Sequence, residues 1–152
     1  MIVVDASVWV GIAIIPDSFR VVSRAWFAAA LRDDESFAGP SLVLAEVVSA
    51  VARKTGDVAK ADAVLRRIDN TPNLTLLPVD VSLAREAARL AAELGLRGAD
   101  ATYVAVAHRL GCPLVTWDAE MVRKTRGTIA AFQPSPPPSP AWSAPGPASF
   151  DR

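Results

Sequence analysis

Four carboxylates stand where an apolar core would exclude them. Asp5 ends the run Met1-Ile-Val-Val, Glu46 interrupts Ser41-Leu-Val-Leu-Ala-Glu-Val-Val, Asp100 opens Asp100-Ala-Thr-Tyr-Val-Ala-Val-Ala, and Asp118 closes Leu114-Val-Thr-Trp-Asp. A carboxylate near a core must be hydrogen-bonded, paired or bound to metal, because burying it alone costs several kcal/mol or forces its protonation. Four acids brought together repel one another, and a divalent cation relieves that repulsion. Oxygen-only ligands favour a hard ion, Mg²⁺ or Mn²⁺.

Each acid also has a plainer role open to it. Asp5 and Ser7, two apart at a strand end, point to one side if the chain stays extended, but Asp5 equally suits the N-cap of a short helix. Glu46 has Leu42, Val43, Ser49 and Ala50 as helical neighbours, a nearly apolar face, yet a rim position paired with Arg53 would also accommodate it. Asp100 opens an apolar helix where the helix dipole favours its charge, and it also lies one turn from Tyr103 and Val104. Asp118 and Thr116 repeat the spacing of Asp5 and Ser7, with an N-cap as the alternative for Asp118.

The elements that must position these acids alternate. Ile2–Val4 reads as a central strand, and the rest of the apolar start to Ile15 as strand and loop. Asp17 or Ser18 can cap a helix to about Leu31. Ser41 can cap one ending at Gly56, and Asp57 one with the stripe Val58, Ala61, Val64, Leu65 and Ile68. Leu74–Leu77 is a second strand, Asp80 caps a helix stopped by Gly95, Ala99–Leu110 is a helix ended by Gly111, and Leu114–Thr116 is a strand. Fainter strand patterns lie at Glu35–Ala38 and Thr128–Phe132. Such alternation predicts an α/β fold with a parallel sheet between helices, with ligands beyond the carboxyl ends of the strands.

Bulk properties narrow the classes. The 152 residues, 51% of them hydrophobic, suit one domain with its own core. Sixteen basic and 16 acidic residues cancel, so no global field draws the chain to nucleic acid and any such contact rests on local patches. One cysteine, Cys112, excludes an internal disulfide framework and fits a reducing cytosol as a small buried hydrophobe. The apolar start lacks a basic n-region and a small-residue cleavage site, and no stretch reaches the roughly 20 apolar residues of a membrane span, so a soluble cytoplasmic protein is expected. His108 is expected to be structural: with one histidine and one cysteine there is no zinc set and little basis for a nucleophilic triad. No phosphate-cradling glycine loop is present. Trp9, Trp26 and Trp117 are expected as core or dimer contacts. From Gln133 the chain turns to Pro134, Pro136, Pro137, Pro138, Pro140, Pro145 and Pro147 among Ser, Ala and Gly, so residues 133–152 are expected as a disordered or polyproline-like tail.

Taken in order, Met1-Ile-Val-Val-Asp-Ala-Ser, Leu44-Ala-Glu-Val, Gly98-Ala-Asp-Ala-Thr-Tyr-Val-Ala-Val-Ala and Leu114-Val-Thr-Trp-Asp resemble the successive signatures of PIN-domain ribonucleases. The compact length resembles that of VapC toxins of toxin-antitoxin pairs. The resemblance spans residues 1–132 and implies a three-layer, mostly parallel α/β fold. It implies that Asp5, Glu46, Asp100 and Asp118 form the catalytic, metal-binding set, supported by Thr116 and Ser7, for RNA cleavage with Mg²⁺ or Mn²⁺. It further implies a homodimer and an antitoxin partner whose tail occupies the acidic cleft. The proline-rich end departs from the family pattern. Arg97, Arg123, Lys124 and Arg126 flank the acids and could hold RNA phosphates, or form an ordinary solvated face. Two alternatives remain. One is an aspartyl-nucleophile phosphohydrolase, disfavoured because Ser7 stands where a second aspartate is needed and no well-placed lysine follows the final strand acid. The other is a catalytically silent binding module that keeps the acids as caps.

Overall fold

In the computed structural model of the protein, the described residues are 1–14 and 19–135. Among them, five strands form one sheet: β1 (Ile2–Val4), β2 (Phe37–Pro40), β3 (Leu74–Leu77), β4 (Leu114–Val115) and β5 (Ala131–Phe132). Every pairing is parallel, and the order is β3-β2-β1-β4-β5. Successive strand residues point to opposite faces. In β1 Val3 and Val4 are both fully buried, as are Leu114 and Val115 in β4, so both faces of the sheet centre are covered. That is why these strands read as unbroken apolar runs.

The helices are α1 (Ala6–Ala13), α2 (Arg20–Arg32), α3 (Leu42–Thr55), α4 (Val58–Asp69), α5 (Val81–Leu94), α6 (Gly98–Leu110) and α7 (Ala119–Lys124). Asp57 caps α4 by accepting from the N–H of Lys60, and Asp80 caps α5 by accepting from that of Leu83. Gly56, Gly95 and Gly111 stop α3, α5 and α6 in the left-handed region, where only glycine escapes a Cβ penalty. Helix α6 packs on β1, β2 and β4 on one side and on α5 elsewhere, and all seven residues from Ala101 to Ala107 are buried.

Several expectations change. The segment after β1 is a helix, not a loop. Asp5 caps α1, and Val8, Trp9, Val10, Gly11 and Ile12 are all buried, so α1 lacks the polar face that would have marked it as amphipathic. Ser41 occupies the cap position of α3 but has helical backbone angles and makes no capping hydrogen bond. The proposed caps Asp17 and Ser18 lie outside the described residues, and Phe19 takes the cap position of α2. Val58 is 70% exposed, because the core meets the α4 stripe only from Ala61 onward. The fainter strand patterns correspond to β2 and β5, each shifted or shortened. The call of a tail at 133–152 falls on residues of which only 133–135 are described.

Candidate active site

The strand order fixes where chemistry can gather. The chain builds outward from β1 through β2 to β3, then returns to the other flank of β1 with β4, so the topological switch lies between β1 and β4. A crevice at the carboxyl ends is expected there. Val3 pairs with Leu114 and Val4 with Val115, which sets Asp5 level with Thr116. The N–H of Asp5 donates to the carbonyl of Val115 at 3.0 Å.

Asp5 is 6% exposed. Its Oδ2 accepts from the Ser7 hydroxyl at 2.5 Å, the Ser7 N–H at 3.2 Å and the Thr116 hydroxyl at 2.9 Å. Burial nevertheless pushes the carboxyl above its ordinary range, against the lowering effect of these donors. The cap and the site are therefore one arrangement: the N–H of Ser7 that Asp5 caps belongs to the residue whose hydroxyl supports it.

Thr116 joins Asp5 to Asp118. Its Oγ1 donates to Asp5 and accepts from the N–H of Asp118 at 3.0 Å. Asp118 in turn caps α7, its Oδ1 accepting from Glu120 and Met121 at 2.8 and 3.1 Å. Here too the capping role and a place at the site coexist, because capping uses Oδ1 while Oδ2 faces Arg97 at 3.7 Å.

Glu46 lies on α3 beside the buried Val43 and Val47. Its partner is not Arg53. Oε2 accepts from the Tyr103 hydroxyl at 2.5 Å, bridging α3 to α6. Burial raises the Glu46 carboxyl, the Tyr103 hydrogen bond works against this, and the charges of Asp5 and Asp100 raise it further. That mutual repulsion places Glu46, Asp5 and Asp100 around one locus. The Tyr103 hydroxyl is itself pushed upward by burial and by Glu46, so it stays a proton donor. Tyr103, the chain's single tyrosine, was missed as a site residue, although it stands one helical turn after Asp100 on the same face.

Asp100 occupies the first turn of α6 and caps nothing; its Oδ2 accepts from the Arg97 Nε at 3.0 Å. Arg97 thus spans Asp100 and Asp118 at the mouth of a cleft of about 390 Å³ lined also by Glu120 and Lys124. The other cations are engaged. Lys124 pairs with Glu120 at 2.8 Å and donates to the carbonyl of Gly95, and Arg123 reaches Glu120 at 3.8 Å. Arg126 is exposed. His108 contacts Glu86 at 3.0 Å on the α5–α6 side, away from the acids, as a structural residue would.

Among the described residues no three acids stand together as a ready metal-holding group. The donor set nevertheless fits a hard divalent ion: it is all carboxylate oxygen, two members are raised by burial, and Arg97 already supplies positive charge between two of them.

Comparison with known proteins gives the same frame. The chain matches the PIN domain over residues 2–127. No curated protein sequence matches it significantly. Among solved structures, it is similar to Mycobacterium tuberculosis VapC20, described as a sarcin-ricin loop cleaving toxin, with 18% identity, a TM-score of 0.71 and coverage of 85% of this chain and 97% of that one. It is similar to PAE2754 from Pyrobaculum aerophilum at 27% identity, TM-score 0.63 and 87% coverage of each chain. It is also similar to VapBC2 from Rickettsia felis, bound to a fragment of its promoter DNA, at 18% identity, TM-score 0.64 and coverage of 88% and 98%.

Proposed function

The chain belongs to the PIN domain family, and from that premise we propose that it is a divalent-metal-dependent endoribonuclease, the toxin half of a VapBC-type toxin-antitoxin pair. The observation that carries this reading is the convergence of Asp5, Thr116 and Asp118 at the sheet's switch point, with Glu46 close enough to feel the charges of Asp5 and Asp100. The VapC20 and VapBC2 likenesses support the toxin class and an antitoxin partner.

Asp5, Glu46, Asp100 and Asp118 would hold the ion. When bound, Mg²⁺ or Mn²⁺ supplies Lewis acidity, lowering the pKa of a water and offsetting charge on the phosphoryl oxygens. The chain's own residues do the positioning. Ser7 and Thr116 fix the Asp5 carboxylate through Oδ2, and Tyr103 holds Glu46 in its ionised form by donating to it. Arg97 binds backbone phosphate at the cleft mouth once its hold on Asp100 and Asp118 is relaxed. In the reaction one P–O bond forms to the water oxygen, another breaks, and the water's proton ends on the leaving oxygen. Neither histidine nor cysteine is required. The substrate class is a structured RNA cut in a single-stranded loop, where bases are accessible. An inhibitory segment of the antitoxin would compete for the same acidic cleft, and a homodimer is the assembly we assign to the active toxin.

Asp5 does not suit the aspartyl-nucleophile alternative, since Oδ2 is taken up by three hydrogen bonds from Ser7 and Thr116. The test of the nuclease reading is cleavage of a structured-RNA pool by inhibitor-free protein with Mg²⁺, Mn²⁺ or chelator, beside an Asp5→Asn/Asp100→Asn double variant. Metal-dependent cuts absent from the variant are expected. Equal cutting by both proteins would sink the proposal.

A further inference from the structure

Resting on the nuclease reading, we propose that Phe19, laid on the indole of Trp117, is a platform on which one base of single-stranded RNA stacks beside the acidic cleft. The two rings lie 4.3 Å apart between centroids with an interplanar angle of 22°. The remaining aromatic contacts among the described residues join Trp9, Trp26, Phe27 and Phe37, all buried, in edge-on or tilted geometry suited to a core. Phe19 differs: 44% of it is exposed, and Trp117 beneath it is only half-buried. An aromatic ring left in water forgoes hydrophobic stabilisation, about 25 cal/mol for each Å² not removed from solvent.

The platform is rigid and its place is tied to the acids. The Trp117 indole N–H donates to the fully buried Ser23 hydroxyl at 2.8 Å, its main-chain N–H donates to the Ser7 hydroxyl at 3.0 Å, and its carbonyl accepts from Gln133 at 3.1 Å. Ser7 is the residue whose hydroxyl donates to Asp5, and Trp117 lies in the chain between Thr116 and Asp118. One hydroxyl group therefore separates the platform's backbone from the innermost carboxylate. The cleft also needs attraction that does not depend on charge: formal net charge is zero, and Arg97, Arg123 and Lys124 are all engaged with acids. Base stacking meets that need and tolerates any sequence, because every base has a π face.

The test uses the full chain in the Asp5→Asn/Asp100→Asn background, which removes cleavage, titrated with short single-stranded oligoribonucleotides carrying 2-aminopurine at successive positions. Fluorescence quenching in one register is expected. Phe19→Ala and Phe19→Leu should bind that RNA about 5- to 150-fold more weakly, the loss of one base–aromatic stack. Phe19→Trp should restore binding, and an RNA abasic at the quenched position should be indifferent to all three changes. Phe19→Leu keeps an apolar cover over Trp117, so a purely structural role predicts parental affinity for it. Absence of quenching in every register, parental binding by Phe19→Leu, or an equal loss with abasic RNA would overturn the platform. Metal-dependent cleavage by the parent chain is scored separately, so a failed nuclease reading and a failed platform give different results.

Discussion

Each acid of the cleft has a partner that governs its charge. Tyr103 is the clearest case, because it is the one side-chain donor that lowers the Glu46 carboxyl against burial and the repulsion of Asp5 and Asp100. Tyr103→Phe should therefore raise the Glu46 carboxyl further. Since a carboxylate must lose its proton to bind a cation, Mn²⁺ affinity followed by calorimetry should then emerge at higher pH than in the parent, with a stability loss of about 1 kcal/mol. Asp5 gives a prediction of opposite sign for the metal-free chain. Its folded carboxyl is raised above the ordinary value of 3.8, so the folded state holds more protons than the unfolded state between the two values, and stability falls as pH rises through that window. Asp5→Asn, which mimics the protonated form, should raise the melting temperature of metal-free protein at neutral pH. That gain should vanish below the ordinary carboxylate range, while Mn²⁺ stabilisation is lost. A variant that melts lower at neutral pH would contradict the account of burial as the dominant cause.

Between elements, two contacts decide whether the cleft is held in shape. Gly11 of α1 faces Ser23 of α2: a Cβ there would stand 2.7 Å from the Ser23 hydroxyl and 3.6 Å from the Trp117 indole nitrogen. Since Ser23 is fully buried and already receives the indole N–H, it has no free direction in which to yield. Gly11→Ala should cost about 1–3 kcal/mol in urea unfolding, the range for overpacking a close contact. The α5–α6 pair is tied by Glu86, which contacts His108 at 3.0 Å and receives two hydrogen bonds from Arg109. Partial burial would raise the Glu86 carboxyl, but the hydrogen bonds from His108 and Arg109 outweigh it and hold the group below its usual 4.5. For a lowered acid the contribution is present above the unfolded value and lost as pH falls through the folded one. Glu86→Ala should lose about 0.5–1 kcal/mol at neutral pH, discounted for partial exposure, and the difference from the parent should close below pH 4.5. The same elements show why some helices were legible and others not. Asp57 with Gly56, and Asp80 with Gly95, carry their signals within one turn of chain. Helix α1 carries no such periodic signal, because its surroundings bury it on every side.

At the scale of the whole molecule, the family match ends at residue 127 and the sheet closes with β5 at Phe132, followed by the hydrogen bond from Gln133 to Trp117. A chain ended after Ser135 keeps all of these and should melt within a degree or two of the full chain and cut RNA at the same rate; a lost transition would assign the remaining residues to the fold. Among the described residues no helix is long and apolar enough to cross a membrane.

The sequence by itself determined the parallel α/β architecture, most helix limits and the four acids, because those depend on local properties: β-branched runs, caps, left-handed glycines and carboxylates set against apolar residues. It left each acid with two roles, and that ambiguity was physical. Capping is a contact across two or three residues, while membership of the site depends on contacts across 111 residues for Thr116 and Asp5 and 57 for Tyr103 and Glu46. Only the tertiary structure decided that Asp5 and Asp118 fill both roles at once, that Glu46 answers to Tyr103 rather than Arg53, and that Trp117 lies under Phe19 instead of in the core. The strand register that sets Asp5 level with Thr116 is a property of the folded sheet, and no residue read alone contains it.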